Sequence, residues 1–119
     1  MTGVNEEEVL ELLISEIPDR MPIRREIEGL RGVLIVRIGD EIYAADDECP
    51  HEGCFLSDGY LDAEDKTITC TCHWSTFRLS DGVSLTPDVT TNPMKLYKVE
   101  RRGERVVILI SSPFQPTSV

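Results

Sequence analysis

Gly32-Val33-Leu34-Ile35-Val36-Arg37-Ile38-Gly39-Asp40-Glu41-Ile42-Tyr43-Ala44-Ala45 is the stretch that decides the fold class. Residues 32–38 and 41–45 are β-branched or alternating runs, and Gly39-Asp40 between them is the chemistry of a tight hairpin turn. Upstream, residues 22–27 read as another strand, with Pro18 and Pro22 breaking any helix before it. Further back, Asn5-Glu6-Glu7-Glu8 ahead of Val9, Leu10, Leu12 and Leu13 has the form of a helix start, Asn5 serving as cap. Leu10-Glu11-Leu12 also alternates, so residues 5–14 stay open between a short N-terminal helix and a strand over 9–14. Downstream, residues 66–69 and 76–79 are strand candidates, the second ending at the turn Ser80-Asp81-Gly82. Residues 95–100 and 105–110 flank Arg101-Arg102-Gly103-Glu104 and predict a second hairpin. Short strands at regular spacing with turn chemistry between them predict an all-β chain, an antiparallel sandwich or partly open barrel.

The length of 119 residues fits one domain over 1–119 with a real core, and no internal repeat is present. The tail 111–119, with Pro113 and Pro116, is expected to be loosely held. The longest apolar runs, residues 33–36 and 106–110, fall far short of the ~20 residues of a membrane helix. Neither follows a basic leader, so the chain reads as soluble and cytoplasmic, without a membrane span. A net charge of −10 speaks against nucleic acid as a partner, because phosphate binding needs clustered Lys and Arg. It fits either steering onto basic partners or simple solubility. Asn5, Asn92 and Gln115 are the only side-chain amides, a scarcity that goes with heat-adapted proteins.

All cysteines and histidines fall in two short clusters, Cys49-Pro50-His51-Glu52-Gly53-Cys54 and Cys70-Thr71-Cys72-His73-Trp74-Ser75. Soft and imidazole ligands gathered this way point to a metal or redox centre. Structural zinc sites take paired cysteines followed by a matching pair. Here each cluster offers a mixed pair, Cys-x-His and then Cys-x-x-His, which suits a [2Fe–2S] centre with two histidines on one iron and two cysteines on the other.

This pattern resembles the Rieske family over roughly residues 23–110. The resemblance implies one [2Fe–2S] cluster per chain, held by Cys49, His51, Cys70 and His73 in a small cluster-binding subdomain of about residues 46–85. It also implies that the histidine-bound iron lies nearest the surface, so that His51 and His73 form the edge toward redox partners. The [2Fe–2S] core carries about +2, so four thiolates bring it to about −2 and two leave it near zero. Reducing the near-neutral centre is easier. Rieske potentials accordingly span about −150 to +300 mV, against about −400 mV for plant-type ferredoxins.

Cys54 and Cys72 resemble the extra cysteine pair of cytochrome bc-type Rieske proteins, which implies a disulfide joining the two loops; two free thiols are the alternative. Ser75 matches a serine whose hydroxyl supports the reduced state in high-potential members. Phe77 stands where those members carry a tyrosine and resembles the lower-potential ferredoxins. Together they imply an intermediate potential. Thr86-Pro87 through Asn92-Pro93-Met94 takes the place of the loop that covers the cluster, without the family's Gly-Pro-x-Pro string. Trp74 either packs on the cluster side of the core or lies exposed at a docking surface, and packing is the expectation.

No histidine remains for a second, mononuclear iron, and no Gly-rich dinucleotide loop is present. The function these residues imply is one-electron transfer between a reductase and an oxygenase or other oxidoreductase, with no catalysis by the chain itself. Two alternatives stand beside it: a Rieske subunit bound permanently in an oxidoreductase complex, and a zinc-stabilised β module for protein interactions. Oligomeric state is not legible.

Overall fold

A computed structural model describes residues 9–27, 31–49, 54–72 and 74–113. Among these residues the chain forms β1 (Val9–Leu13), β2 (Ile23–Ile27), β3 (Arg31–Ile38), β4 (Glu41–Asp46), β5 (Tyr60–Asp62), β6 (Thr67–Thr69), β7 (Thr76–Arg78), β8 (Leu96–Arg102) and β9 (Arg105–Pro113). Single 3₁₀ turns cover Ile14–Glu16 and Leu56–Asp58. The larger sheet runs in the order β1-β9-β8-β4-β3-β2, and a second sheet joins β5-β6-β7. Every pairing between named strands is antiparallel. Among the described residues no helix is long and apolar enough to cross a membrane.

The opening hairpin forms as predicted, with Ile38 opposite Glu41 and the loop reduced to Gly39-Asp40. Gly39 takes φ +64° at the first loop position, where a two-residue turn of matching twist requires glycine. The N-terminal ambiguity resolves as a strand. Val9–Leu13 pairs with β9, and Leu12 faces the core while Leu13 is exposed, so the period is two. Residues 5–8 lie outside the described residues. β9 runs on to Pro113, which pairs with Tyr97 across a register shift. The rest of the tail, 114–119, lies outside the described residues.

The unbroken apolar run at 33–36 has a geometric reason. Val33 and Ile35 point into one core with Leu12, Ala44, Tyr97, Val106 and Ile108. Leu34 and Val36 point the opposite way, into a second core with Ala45, Leu56, Ile68, Phe77, Met94 and Leu96. A strand with an apolar layer on each face reads as a continuous run, not an alternating one. The second core lies between the larger sheet and the β5-β6-β7 sheet. It also contains Cys49 and Cys70, so packing fixes the small sheet and the cysteine loops as one piece.

Candidate metal centre

Both cysteine loops are closed in the same way. The Cys49 N–H donates to the Cys54 carbonyl at 2.6 Å, and the Cys70 N–H donates to the Ser75 carbonyl at 2.8 Å. In each loop the donor and acceptor lie five positions apart, so one backbone hydrogen bond joins the first cysteine to the far end of its loop. The first loop caps a narrow ladder, with Glu48 bridged to Phe55 and the Leu56 N–H donating to the Asp47 carbonyl at 2.7 Å. The second caps the β6–β7 hairpin, where Thr69 and Thr76 are opposite and their hydroxyls meet at 2.8 Å.

Cys49 and Cys70 stand outside the disulfide, with only 2% and 1% of their surfaces exposed. Cys54 and Cys72 form a disulfide with Cα atoms 6.5 Å apart, which ties the two loops together. The sulfur of Cys70 lies within 4.8 Å of both bridged sulfurs. Oxidation thus removes two of the four thiols from metal binding and leaves one in each loop. A four-cysteine zinc site is excluded by that chemistry, whereas two thiolates are what a mixed cysteine–histidine [2Fe–2S] site requires. His51 and His73 lie outside the described residues.

The Ser75 side chain is fully buried, with its hydroxyl 3.6 Å from the Cys49 sulfur. Phe77 is also fully buried and belongs to the apolar core beneath the loops. The 86–94 segment is pinned by its own polar contacts. Thr86 Oγ1 accepts from the Thr76 N–H at 3.1 Å, and the Ser84 hydroxyl donates to the Thr90 carbonyl at 2.6 Å. Met94 then inserts into the core that holds Cys49 and Cys70.

A comparison of this chain with protein-family models matches the Rieske [2Fe–2S] domain over residues 7–109. The chain belongs to this family. Among its relatives, the ferredoxin component of the naphthalene 1,2-dioxygenase system of Pseudomonas aeruginosa is 35% identical over 96 residues, 81% of this chain and 88% of that protein. The ferredoxin component of biphenyl 2,3-dioxygenase of Rhodococcus jostii is 32% identical, covering 68% of this chain and 73% of that protein. Among solved structures, a chain from the complex of reduced oxygenase and oxidised ferredoxin of carbazole 1,9a-dioxygenase matches with a TM-score of 0.78. It is 25% identical and covers 89% of this chain and 95% of its own. Family membership brings with it the [2Fe–2S] cluster as the cofactor, and the two buried thiols fit it.

Three features of this Rieske site were not legible in the sequence. The Asp47 carboxylate is fully buried, accepts from the Ser57 N–H at 2.7 Å and the Ser57 hydroxyl at 2.6 Å, and pairs with Arg24 at 2.9 Å. The same guanidinium lies over the Phe55 ring, 4.1 Å from its centroid. It passes where a side chain on Gly32 would stand, so the glycine leaves the path open. The third feature corrects the expectation for Trp74. Its ring is 58% exposed and stacks on Tyr60 at 5.8 Å between centroids, with the planes 11° apart. The cause is local: Trp74 has φ +62°, which turns its side chain outward while Ser75 turns in. A left-handed conformation at a non-glycine residue costs about 1–2 kcal/mol.

Proposed function

We propose that the chain is a Rieske-type ferredoxin that carries one electron from a reductase to an oxygenase component, with Cys49, His51, Cys70 and His73 holding its cluster. The supporting observation is the pair of buried cysteines outside the disulfide, one in each bridged loop, set in a family whose cofactor is [2Fe–2S]. The cluster supplies a one-electron redox couple at a potential raised by its neutral imidazole ligands. Cys49 and Cys70, sunk in the second core, hold the inner side of the site and keep water from it. His51 and His73, each close in sequence to its cysteine, then complete the ligand set on the outer side and form the edge that faces partners. Ser75 supports the reduced state by donating to the Cys49 sulfur, and Phe77 adds no second hydroxyl, which favours a potential between the family's extremes.

The ferredoxin components similar to this chain belong to dioxygenase systems, which supports an oxygenase as acceptor. A single Rieske domain over 1–119, with its cluster-binding part at about 46–85, and a cytoplasmic site of action go with this reading. An electron paramagnetic resonance spectrum of the reduced protein tests it. The expected result is a rhombic [2Fe–2S] signal with nitrogen couplings from two histidines, lost in His51→Ala and His73→Ala. A colourless protein that binds stoichiometric zinc and gives no such signal would sink it.

A further inference from the structure

We propose that the stacked Tyr60–Trp74 pair, with the exposed carboxylates along β5 and its turn, forms the docking face for a redox partner that presents an apolar spot rimmed by Lys and Arg. This rests on the electron-carrier reading and adds the residues and the partner chemistry to it. The pair is exposed on both members, 62% for Tyr60 and 58% for Trp74, and each ring packs on the other instead of the core. Paired aromatics of this kind give large contact area with little rotamer entropy to lose, which is why they anchor interfaces.

The backbone holds them in place. Tyr60 opens β5 opposite Thr69, and Trp74 is fixed from behind by the buried Ser75, whose carbonyl accepts from Cys70. Trp74 also adjoins His73 in the chain and lies two positions from the bridged Cys72, so the pair marks the end of the molecule that carries the cysteine loops.

Charge supplies the partner's chemistry. Among described residues 54–85 the cations are Lys66 and Arg78, and they are paired with Glu41 and Asp81. Asp58, Asp62, Glu64 and Asp65, exposed on or beside β5, have no cation partner among the described residues. An apolar centre beside uncompensated carboxylates selects a basic-rimmed partner and speeds its approach. A structural neighbour of this chain comes from a ferredoxin–oxygenase complex, so a protein acceptor is the occupant in keeping with that neighbour.

Cytochrome c, a basic protein with an exposed haem edge, is the probe. Stopped-flow reduction of it by the loaded, reduced protein is compared for wild type, Trp74→Gly, Tyr60→Ser and the combined Asp62→Asn, Glu64→Gln and Asp65→Asn. Each aromatic variant is expected to slow the second-order rate by about fivefold or more. Midpoint potential and paramagnetic spectrum stay unchanged. Glycine suits the left-handed backbone at 74, so Trp74→Gly also keeps or raises the melting temperature. The charge variant flattens the dependence on ionic strength. Wild-type rates in both aromatic variants, with spectra intact, would overturn the docking face and leave the carrier reading standing. A wild-type protein with no reduced-cluster signal would instead remove the carrier reading. Concentration-dependent dimers abolished by Trp74→Gly would assign the face to a second copy of the chain and overturn the proposal.

Discussion

The Asp47 carboxylate, fully buried two residues before Cys49, lies 2.9 Å from the partly exposed Arg24 guanidinium of β2. The hydrogen bond from Asp47 raises the Arg24 pKa further above its ordinary value. With two bonds from Ser57, the carboxylate joins the first cysteine loop to the larger sheet and to the turn that follows the loop. Removing Arg24 strands a buried charge, while removing Asp47 leaves Ser57 and Arg24 without their acceptor. Each single change, Arg24→Ala or Asp47→Ala, is expected to destabilise the protein by about 3 kcal/mol. The pair removed together costs less than the sum of the singles. Urea unfolding of the four proteins in the cycle measures this, and additive losses would show that the two residues act independently.

The Cys54–Cys72 bridge closes a loop of sequence separation 18. By chain-entropy arguments a loop of this size stabilises by about 3 kcal/mol. Cys72 is exposed, so reductant reaches the bridge without global unfolding. Intact mass under native and reducing conditions should differ by two hydrogens, and Cys54→Ser with Cys72→Ser should melt earlier. An unchanged mass would refute an oxidised pair in the purified protein.

Ser75 presents its hydroxyl to the Cys49 sulfur from a fully buried position. As a cluster ligand the Cys49 thiolate would only accept, so the hydroxyl would donate, and the bond would strengthen when the added electron makes the sulfur more negative. A hydrogen bond to a charged group is worth about 1.5–3 kcal/mol, and about 1.4 kcal/mol corresponds to 59 mV for one electron. The whole bond would correspond to roughly 60–130 mV, and only the part gained on reduction counts, so Ser75→Ala should lower the midpoint potential by on the order of 50 mV. Protein-film voltammetry reads this directly. An unmoved potential would show that the hydroxyl serves packing alone.

What was legible in the sequence was local. The β2–β3–β4 and β8–β9 strands follow from β-branched or alternating runs and from the turns at Gly39-Asp40 and Gly103-Glu104, and those signals need no knowledge of distant contacts. β5, Tyr60–Asp62, carries no comparable signal: unlike β6 and β7, equally short, it has no β-branched residue, and it lies between Asp58-Gly59 and the acidic turn that follows. The two cysteine–histidine loops stood out because their spacing carries the chemistry. The resemblance to the Rieske family likewise implied the Cys54–Cys72 bridge. Arg24 and Asp47 are 23 residues apart and look like ordinary surface charges until β2 and β3 pair. For Trp74 residue type alone favours burial, while a left-handed backbone at one residue reverses which way the ring points.

A second polar junction makes stability depend on pH in a signed way. The Tyr43 hydroxyl donates to Glu41 at 2.6 Å, and Lys66, just before β6, pairs with the same carboxylate oxygen at 2.9 Å. This links the β3–β4 hairpin to the small sheet. Burial, and then the bond to Glu41, push the Tyr43 phenol from its ordinary 10.0 up to about 12. A raised folded-state pKa means that the contribution is fully present below pH 10.0 and is lost as pH rises through about 12. Glu41 moves the opposite way: the Tyr43 bond, followed by Lys66, holds it below its ordinary 4.5, so its contribution fades as pH falls through that lowered value. Tyr43→Phe should abolish the alkaline phenolate transition near pH 12 in the absorbance difference from wild type and flatten the alkaline loss of stability. It should also raise the Glu41 titration midpoint seen by carboxyl-carbon NMR, and Lys66→Met should raise it too, because the phenol and then the ammonium both hold the carboxylate in its charged form. If Glu41 titrates identically in wild type and Tyr43→Phe, the phenol does not set its acidity and the junction depends on Lys66 alone.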